Sequence, residues 1–349
     1  MQLPYSRLAR RLLSPLGWCY AAGLHADELL DGLRTRVRPA RPVVGIGNLA
    51  VGGSGKTPTA RWLALKLFER GLRPALVTRG YGGSWTAGTA EPGVVDGDDT
   101  DPWVYGDEAV LLKRELTDVP VVVGRIKARA ARVAARLHGI DVVIVDDALQ
   151  HRRLARDFDL TVLAATDWRD RLTGAAAPLP AGRLRVPFDR LRKTDATLLL
   201  DGTPEELRLL RVRFPRLLCL GARFVAVGLR DFAGVLHPLS ILADRDVVAC
   251  CAIARPEVFF GDLERLGAHL VARLAPPDHA AYDMAELGRL NGLVAENPGA
   301  LVVVTGKDAV KLRGRFENNI LWLERSLRLE TGDAAALLTV VTARLERRR

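Results

Sequence analysis

The apolar and polar positions of the chain alternate between short apolar runs and longer mixed segments. The short runs are rich in Val, Ile and Leu and have the length of buried strands, whereas the mixed segments carry apolar residues at helical spacing. Up to residue 200, the predicted strands cover residues 42–46, 74–78, 119–123, 141–145, 160–163 and 198–200, and the predicted helices cover residues 57–70, 108–116 and 126–137. This alternation predicts an α/β fold with a parallel sheet and helices on both faces.

The same alternation returns in weaker form in the last third of the chain. It predicts strands at residues 247–253, 270–274 and 301–304, and helices at residues 256–266, 284–296 and 333–347. The pattern loosens around residues 205–225, where we place a domain boundary. The sequence therefore predicts an N-terminal helical segment (1–40), a main domain (41–222) and a second, smaller α/β domain (223–349).

Two stretches fit neither pattern: one is rich in Gly, Asp and Thr, and the other is rich in Gly and Pro and then basic. Residues 82–106 and 173–187 are predicted as long loops over the surface. Because ligands of open α/β sheets bind beyond the carboxyl ends of the strands, we expect the functional side chains on the loops at that edge.

A glycine-rich turn follows the first predicted strand and opens the first predicted helix. In order, it contains Gly52, Gly53, Ser54, Gly55, Lys56 and Thr57. Glycines let successive backbone N–H groups converge on phosphate oxygens, the lysine reaches the β- and γ-phosphates, and the hydroxyl beside it binds Mg²⁺. The strict P-loop pattern has glycine where this chain has Ala50, so the turn is a variant. It predicts a nucleotide site on a P-loop NTPase-like sheet.

A second nucleotide-site signal is the apolar strand that ends in Asp146 and Asp147. Carboxylates at this edge can hold Mg²⁺ directly or through water beside the glycine turn. Together with Thr57 they are the candidate metal ligands. Alternation along the strand predicts that Asp147 is the more exposed of the two, but it leaves open which one contacts the metal.

The composition narrows the class of protein further. With 48% hydrophobic and 26% charged residues, the chain is globular rather than disordered. Cys19, Cys219, Cys250 and Cys251 have neither C-x-x-C nor zinc spacing, so we expect four small apolar fillers in a reducing cytoplasm. The net charge of +10 indicates an anionic partner. No aromatic-studded RNA-binding motif occurs, and nucleic acid is not the expected partner.

The N-terminal segment is basic first and apolar afterwards. Residues 12–24 form its apolar run, which follows three arginines and is too short to span a bilayer. An interfacial helix would place Trp18 and Tyr20 at the bilayer boundary and its arginines near anionic headgroups. A helix packed on the main domain is the equally open alternative.

Several motifs along the chain belong together as the signature of one family. They are the glycine turn at residues 47–58, T-R-G-Y-G at 78–82, G-D-E at 106–108, D-D-A-L-Q-H at 146–151, L-P-A-G-R-L-R at 179–185, F-F at 259–260, D-H at 278–279 and T-G-K-D-A-V-K-L at 305–312. In these motifs the chain resembles the tetraacyldisaccharide 4'-kinases of lipid A biosynthesis. The missing first glycine is usual in that family, so Ala50 no longer counts against a phosphate loop.

The resemblance implies an activity and a location. Members of this family transfer the γ-phosphate of ATP to the 4'-hydroxyl of a lipid A precursor, an acylated disaccharide 1-phosphate glycolipid. The implied cofactors are ATP and Mg²⁺. The implied location is peripheral (monotopic), on the cytoplasmic leaflet of the bacterial inner membrane, with the active site in a cleft between two α/β domains.

The resemblance also assigns roles to single residues. It makes Asp107 the candidate base, acting with His279, and it makes Arg79 a nucleotide-binding and Arg185 a catalytic candidate. A carboxylate–imidazole pair can accept the proton of a sugar hydroxyl. His279 would come from the second domain, so domain closure would complete the site. Without the resemblance, an N-capping Asp107 and a surface His279 would be the simpler interpretations.

Three of the departures from the family pattern matter for the site. Val186 and Gly306 stand where glutamate is usual, and Ala280 stands where a second histidine is common. These changes put secondary contacts in question and spare the phosphate loop and the central acids.

Two other functions stay open at this point. A P-loop GTPase or metallochaperone-like NTPase would carry a guanine-reading N-K-x-D motif, but Gly306 precedes Lys307 where asparagine is needed. A nucleotide-dependent membrane adaptor without enzymatic activity would need neither Asp107 nor His279.

Overall fold

The computed structural model describes residues 7–30, 35–52, 55–96, 100–316 and 319–348. The elements of its first part are α1 (Arg7–Leu30), β1 (Val43–Gly47), α2 (Lys56–Phe68), β2 (Pro74–Thr78), α3 (Ser84–Gly88), β3 (Gly93–Val95), α4 (Pro102–Tyr105), α5 (Asp107–Glu115), β4 (Val121–Val123), α6 (Lys127–Ala134), β5 (Val142–Val145), β6 (Phe158–Ala164), α7 (Ala165–Leu172), β7 (Ala196–Leu200) and α8 (Pro204–Arg213). Those that follow are β8 (Leu218–Arg230), β9 (Leu236–His237), β10 (Asp246–Cys250), α9 (Pro256–Arg265), β11 (His269–Leu274), α10 (Met284–Glu296), β12 (Leu301–Thr305), α11 (Gly306–Leu312), β13 (Ile320–Leu329) and α12 (Thr331–Glu346).

The described strands lie in one continuous sheet, in the order β11-β10-β12-β13-β8-β7-β6-β1-β5-β2-β4-β3. Most neighbours are parallel, and β1 lies between β5 and β6 with Gly45 beside Val145. The antiparallel pairs are β3 with β4, β8 with β13, and β8 with the short β9. The prediction of an α/β fold with a mainly parallel sheet is confirmed.

Strand β8 connects the two parts of this sheet. Leu218 to Ala222 pair in parallel with β7, and the rest of the strand pairs antiparallel with β13. Beyond β13, the strands β10 and β12 carry α9 on one face and α10 on the other, which forms the second, smaller α/β unit. The domain limits at residues 40 and 222 stay predictions.

Alternate residues of the central strands face opposite sides of the sheet. Val44 and Ile46 of β1 pack in the apolar cluster of α2, α5 and α12, whereas Val43 packs in the cluster of α6. Helices α2 and α6 therefore cover opposite faces. Each follows a strand of the parallel part of the sheet, so both helices begin at the carboxyl edge of the strands.

Helix α1 is longer than the predicted apolar run and contains Pro15. Its side chains are described only in part, and Arg7, Arg10, Arg11 and Trp18, which the interfacial interpretation uses, lie outside the described side chains. In the described part of the chain, no helix has the length and apolarity that crossing a membrane requires.

The described side chains of α1 support elements of both interpretations. The Tyr20 hydroxyl donates to the Arg185 carbonyl (3.1 Å), and Leu24 packs on the apolar cluster around α7 and α8. Leu12 and Leu16, which lie one turn apart, are 72% and 56% exposed. One stretch of the helix is thus packed on the protein while another presents leucines outward.

The predictions for two segments differ from the structure. Residues 82–106 contain α3, β3 and α4 rather than an uninterrupted loop, because β3 pairs with β4 across an antiparallel edge. Around residues 205–225 the structure has α8 and the start of β8. Helix α8 begins with a capping box in which Thr203 and Glu206 bond each other's backbone N–H groups.

The cysteines follow their prediction with one exception. Cys219, Cys250 and Cys251 are buried free thiols, and burial raises the pKa of each. Cys19 is exposed on α1, so it is not a buried filler.

Candidate active site

The glycine turn lies between the end of β1 and the start of α2, at the carboxyl edge of the sheet. Gly53 and Ser54 of this turn lie outside the described residues. Gly52 and Gly55 have φ angles of 109° and 76°, in the left-handed region that favours glycine. A side chain at Gly55 would also collide with the ring of Phe224 in β8. Both the backbone and its neighbour therefore require glycine at position 55.

Asp147 lies between two cations at this edge. Lys56 Nζ is 3.6 Å from its Oδ1, and Arg185 Nη1 is 3.3 Å from its Oδ2. Burial acts to raise the pKa of the Asp147 carboxyl, but Lys56 and Arg185 outweigh it and hold that pKa below its usual value. The chain thus places a carboxylate, a lysine and an arginine within one small polar cluster.

Asp146 is the buried partner of Thr57. The Thr57 hydroxyl donates to Asp146 Oδ2 at 2.7 Å. Burial raises the pKa of Asp146, opposed by the charge of Lys127. Asp147 is the more exposed of the two aspartates, as the alternation predicts.

Each of the two aspartates has one oxygen atom without a hydrogen bond among the described residues. Among the described residues, neither Asp146 Oδ1 nor Asp147 Oδ1 has a hydrogen-bond donor, although both atoms are buried. Two carboxylate oxygens beside a hydroxyl suit the hard oxygen coordination of Mg²⁺, which needs few protein ligands because it retains water. The described residues contain no cluster of three or more His, Cys, Asp or Glu that could hold a metal by themselves.

Asp107 begins α5 and is 4% exposed. Its Oδ2 lies 3.0 Å from His279 Nδ1 and 3.0 Å from Lys311 Nζ, and its Oδ1 accepts the Glu108 N–H at 2.7 Å. Burial would raise the pKa of this carboxyl, but the hydrogen bond from His279 and the charges of Lys311 and Lys307 hold it far below its usual value. The structure therefore brings the two predicted residues Asp107 and His279 into direct contact.

His279 is held in a specific conformation. Its φ of 61° is left-handed, its backbone N–H donates to the Ala252 carbonyl at 3.1 Å, and its ring lies 5.2 Å from the Tyr81 ring. The hydrogen bond to Asp107 raises the pKa of the imidazole, against the opposing effect of burial. Nε2, the second ring nitrogen, lies 3.9 Å from an oxygen of Asp278.

Helix α11 of the smaller unit contacts α5 through two lysines four residues apart. Lys307 forms an ion pair with Glu108, and Lys311, which is 5% exposed, contacts Asp107 and the Ala280 carbonyl at 3.1 Å. The sequence reasoning missed Lys311, although the i, i+4 spacing of the two lysines predicts that they share one helix face.

The remaining basic residues near this edge have different environments. Arg79 follows β2 directly and is exposed. Lys127, a residue that the sequence reasoning missed, is 2% exposed at the start of α6, and burial lowers its pKa to about 8 against the raising effect of Asp146 and Asp147. No sequence signal marks this lysine, because nothing local predicts its burial.

The structure shows which residues surround Val186, Gly306 and Ala280, the three departures from the family pattern. Val186 is buried in the apolar cluster that includes Leu184 and Phe188. A side chain at Gly306 would come within 3.1 Å of Leu111 on α5. Ala280 is half-buried and contributes its carbonyl to Lys311. Among the described residues, none of the three forms a hydrogen bond with Asp107, Asp146 or Asp147.

Comparison with known proteins agrees with this geometry. The profile of the family described as tetraacyldisaccharide-1-P 4'-kinase matches residues 9–346. The chain belongs to this family. A tetraacyldisaccharide 4'-kinase of Aeromonas hydrophila subsp. hydrophila is 37% identical over 322 residues, which cover 92% of this chain and 89% of that protein. One of Aromatoleum aromaticum is 38% identical over 319 residues, 87% of this chain and 85% of that protein.

The fold is also similar to a solved member of the tetraacyldisaccharide-1-P 4'-kinase family. The "apo" form of LpxK from Aquifex aeolicus, in complex with ATP, matches with a TM-score of 0.78 and 26% identity, covering 96% of this chain and 99% of that one. The family resemblance inferred from the motifs is confirmed, and the chain is a kinase, a phosphotransferase by family.

Proposed function

We propose that this chain transfers the γ-phosphate of ATP to the 4'-hydroxyl of a tetraacyl disaccharide 1-phosphate. The observation that carries the proposal is that the glycine turn and the aspartates after β5 lie at the carboxyl edge of the sheet, where His279 of the Asp107–His279 pair lies against Tyr81, just beyond the end of β2. The names of the curated relatives supply the acceptor, and ATP is the nucleotide of the Aquifex aeolicus complex.

We assign Mg²⁺ binding to Thr57, Asp146 and Asp147. The fit is supported by the two buried carboxylate oxygens that lack donors beside the Thr57 hydroxyl. When bound, Mg²⁺ would neutralise phosphate charge and orient the triphosphate. Which of the two aspartates contacts the metal stays open.

The basic side chains at the same edge would stabilise the negative charge on the transferred phosphate. Lys56 begins α2, where backbone N–H groups and the helix dipole favour an anion, and its ammonium group would contact the β- and γ-phosphates. Arg185 would stabilise the charge that develops during transfer, because it lies beside Asp147 on a loop packed against α1. Arg79, exposed at the end of β2, is proposed as a further nucleotide contact.

We assign to the Asp107–His279 pair the role of accepting the proton of the acceptor hydroxyl. Asp107 accepts two donors on one oxygen and one on the other, which makes its carboxylate a weak base and a strong orienting group. The raised pKa of His279 makes the imidazole the better proton acceptor of the two. Asp107 would keep the imidazole ring oriented and stabilise its charge after transfer.

We place the protein on the cytoplasmic face of the bacterial inner membrane as a peripheral protein. An acylated glycolipid is presented by a bilayer, and the outward-facing Leu12 and Leu16 of α1 suit insertion at its boundary. The net charge of +10 favours an anionic leaflet. Residues 41–222 would form the P-loop kinase domain, and residues 223–349 would close the cleft over it.

The experiment that tests the proposal is phosphoryl transfer itself. The purified chain is incubated with radiolabelled ATP, Mg²⁺ and a tetraacyl disaccharide 1-phosphate in detergent micelles, and label is followed into the lipid. We expect a bis-phosphorylated product with label at the 4'-position. Nucleotide hydrolysis without transfer would favour an NTPase, and nucleotide binding without turnover would favour an adaptor.

A further inference from the structure

The loop that carries His279, residues 277–282, contains two residues in an unfavourable backbone conformation. The Ala280 N–H donates to the Pro277 carbonyl at 2.9 Å, which closes a four-residue turn with His279 at its third position. His279 and Tyr282 have φ angles of 61° and 55°, in the left-handed region that glycine or asparagine normally occupies. Such a conformation persists only where neighbouring groups hold it.

The backbone of His279 is held through Ala252, which lies just beyond the end of β10. The His279 N–H donates to the Ala252 carbonyl, and the Ala252 N–H donates to Asp308 Oδ1, both at 3.1 Å. Asp308 is fully buried in the first turn of α11 and accepts a hydrogen bond from the Thr305 hydroxyl. Helix α11 therefore supports the first part of the His279 loop from within the protein.

Arg315 holds the last part of the His279 loop from outside. Its Nη1 donates to the Ala281 carbonyl at 2.9 Å, and its Nη2 donates to the Tyr282 carbonyl at 2.7 Å. The two carbonyls belong to the peptide groups on either side of the Tyr282 Cα, so these bonds restrict the backbone of the left-handed residue. A planar guanidinium with two bonds in place has little freedom left.

The same guanidinium contacts the segment that leads to Asp107. It lies over the ring of Trp103 in α4, 5.6 Å from the ring centroid, in the geometry of a cation–π contact. Only Gly106 separates α4 from α5, which begins at Asp107. Arg315 is thus in contact with the loop of the imidazole and with the segment just before the carboxylate.

The backbone of Arg315 is fixed, whereas its side chain is exposed. The residue lies between the buried Leu312 and Phe316, and its N–H donates to the Leu312 carbonyl at 3.0 Å. Gly314, with a left-handed φ of 70°, turns the chain after α11. A substitution at position 315 therefore removes the guanidinium without opening the core.

We propose that Arg315 is a positioning residue for the transfer reaction, which holds the imidazole of His279 against Asp107 by joining the His279 loop to Trp103. The inference rests on the proposed function, which gives the Asp107–His279 pair its role. In the described structure Arg315 has no hydrogen bond or ion pair with either member of that pair, so its effect passes through the backbone of the loop.

The experiment compares R315Q with R313Q in the full chain. Both replace an exposed arginine just after α11, but R315Q also removes the two hydrogen bonds to the His279 loop. Transfer from ATP to the tetraacyl disaccharide 1-phosphate is measured for wild type, R315Q, R313Q, H279A and R315Q/H279A. Thermal unfolding checks that each variant is folded.

In R315Q, kcat should fall about tenfold while the KM for ATP stays as in wild type, because a small displacement of a reacting group is costly. R313Q should have the kcat of wild type. In the H279A background, R315Q should change kcat by less than about twofold, since no imidazole is left to misplace. Unchanged kcat in R315Q, an equal loss in R313Q, or a tenfold loss that persists in H279A would each overturn the inference.

The pKa of His279 is a second readout that needs neither ATP nor acceptor. The hydrogen bond from Asp107 raises this pKa, burial and Lys307 lower it, and Asp278 raises it; Lys311 faces the same side, on Asp107 and the carbonyl after His279. A looser loop weakens the bond to Asp107 first, so the pKa of His279 should be lower in R315Q than in wild type.

This pKa is measured by NMR titration of the histidine-labelled chain. The His279 resonance is assigned by its absence in H279A, and R313Q should titrate as wild type does. An equal His279 pKa in R315Q and wild type would overturn the inference. Wild type without transfer would overturn the proposed function instead, and the titration would still show whether Arg315 holds His279 against Asp107.

Discussion

Asp107 has more contacts than the start of a helix requires. One of its oxygens faces both an imidazole and an ammonium group, and the other accepts a backbone N–H. These contacts favour the ionised carboxylate, so Asp107 keeps its charge across the physiological pH range. The hydrogen bond to Asp107 raises the pKa of His279, so of the two groups the imidazole is the one that titrates at the higher pH.

The first prediction concerns the two members of this pair. D107A and H279A should each lower kcat about 100-fold or more, because a positioned base contributes 10²–10⁴-fold to proton transfer. Binding of ATP, measured by fluorescence titration, should change little, since neither residue forms a hydrogen bond or ion pair with the described residues of the glycine turn. The exposed His138 on another part of the surface is the control for loss of a histidine. Full turnover in either pair variant would remove the pair from the mechanism.

Lys311 is predicted to position Asp107. In K311M one donor to Asp107 Oδ2 and the bond to the Ala280 carbonyl are lost, so the carboxylate and the loop of His279 should both become less fixed. We expect kcat to fall about tenfold, with a changed pH profile of kcat and an unchanged KM for ATP; the loss of buried bonds should also cost about 1–3 kcal/mol of stability.

K307M is the matched control for Lys311. It removes the same charge from the same face of α11, one turn earlier, but its partner is Glu108 rather than Asp107. Because the charge of Lys307 also acts on Asp107 and His279 without contacting either, the pH profile of K307M should shift less than that of K311M. If the two variants showed the same profile, the effect of K311M would reflect the packing of α11 and not the position of Asp107.

At the scale of elements, α1 connects the proposed membrane surface to the catalytic edge. Tyr20 holds the backbone of Arg185, whose guanidinium contacts Asp147, while Leu12 and Leu16 point away from the protein. The helix is therefore packed on the protein through one stretch and exposes leucines along another, as the proposed interfacial role requires.

Removal of residues 1–24 should separate these roles. We expect weaker binding to anionic liposomes, because the exposed leucines are lost, and lower kcat, because the Tyr20 contact to the loop of Arg185 is lost. Y20F should retain liposome binding and show only the second effect. Co-sedimentation with liposomes measures the first quantity, and equal binding by the truncated chain would exclude α1 as the membrane contact.

The success of sequence-based prediction also differs between elements. Strand β2 and helix α10 were predicted at residues 74–78 and 284–296 as the structure has them, because each satisfies local rules of periodicity and termination. Strand β13 was not predicted. It gains its stability from pairing with β8, about a hundred residues earlier, and such long-range partners leave no local signal.

In the candidate site, even more depends on contacts between residues that are far apart in sequence, which local patterns do not predict. The glycine turn and the strand that ends in Asp146 and Asp147 are local patterns and could be predicted from physical rules. Asp107 and His279 are 172 positions apart in sequence, and only the family resemblance associated them. The burial of Lys127 beside the site could not be predicted from the sequence, since it depends on how α6 packs against the sheet.

At the scale of the whole molecule, a network of charges connects the two parts of the sheet. Arg61 on α2 contacts Glu115 on α5 at 2.9 Å and Glu324 on β13 at 2.8 Å, and Arg230 on β8 contacts Glu324 at 2.6 Å. Burial and the charge of Glu324 raise the pKa of Glu115 to about 7, against the effect of Arg61. The junction therefore contains an acid that titrates near neutral pH.

This titration predicts a pH-dependent stability. The pKa of Glu115 rises from 4.5 to about 7 on folding, so the folded state binds more protons between these values and this group's contribution to stability is lost as pH rises through 7. E115Q should lack this slope. Relative to wild type, its free energy of unfolding should increase by roughly 3 kcal/mol between pH 4 and pH 8. Urea unfolding at both pH values measures the difference, and parallel curves would contradict the assignment.

The antiparallel pairing of β8 with β13 has a consequence for dividing the polypeptide. A cut within residues 238–245 would leave each fragment with a long, unpaired strand edge, β8 in one and β13 in the other. Open edges recruit any complementary strand, so each fragment alone should aggregate. When the two fragments are co-expressed, β8 and β13 should pair with each other. The kinase should then reassemble as a split enzyme, and its activity would measure the association of the two fragments.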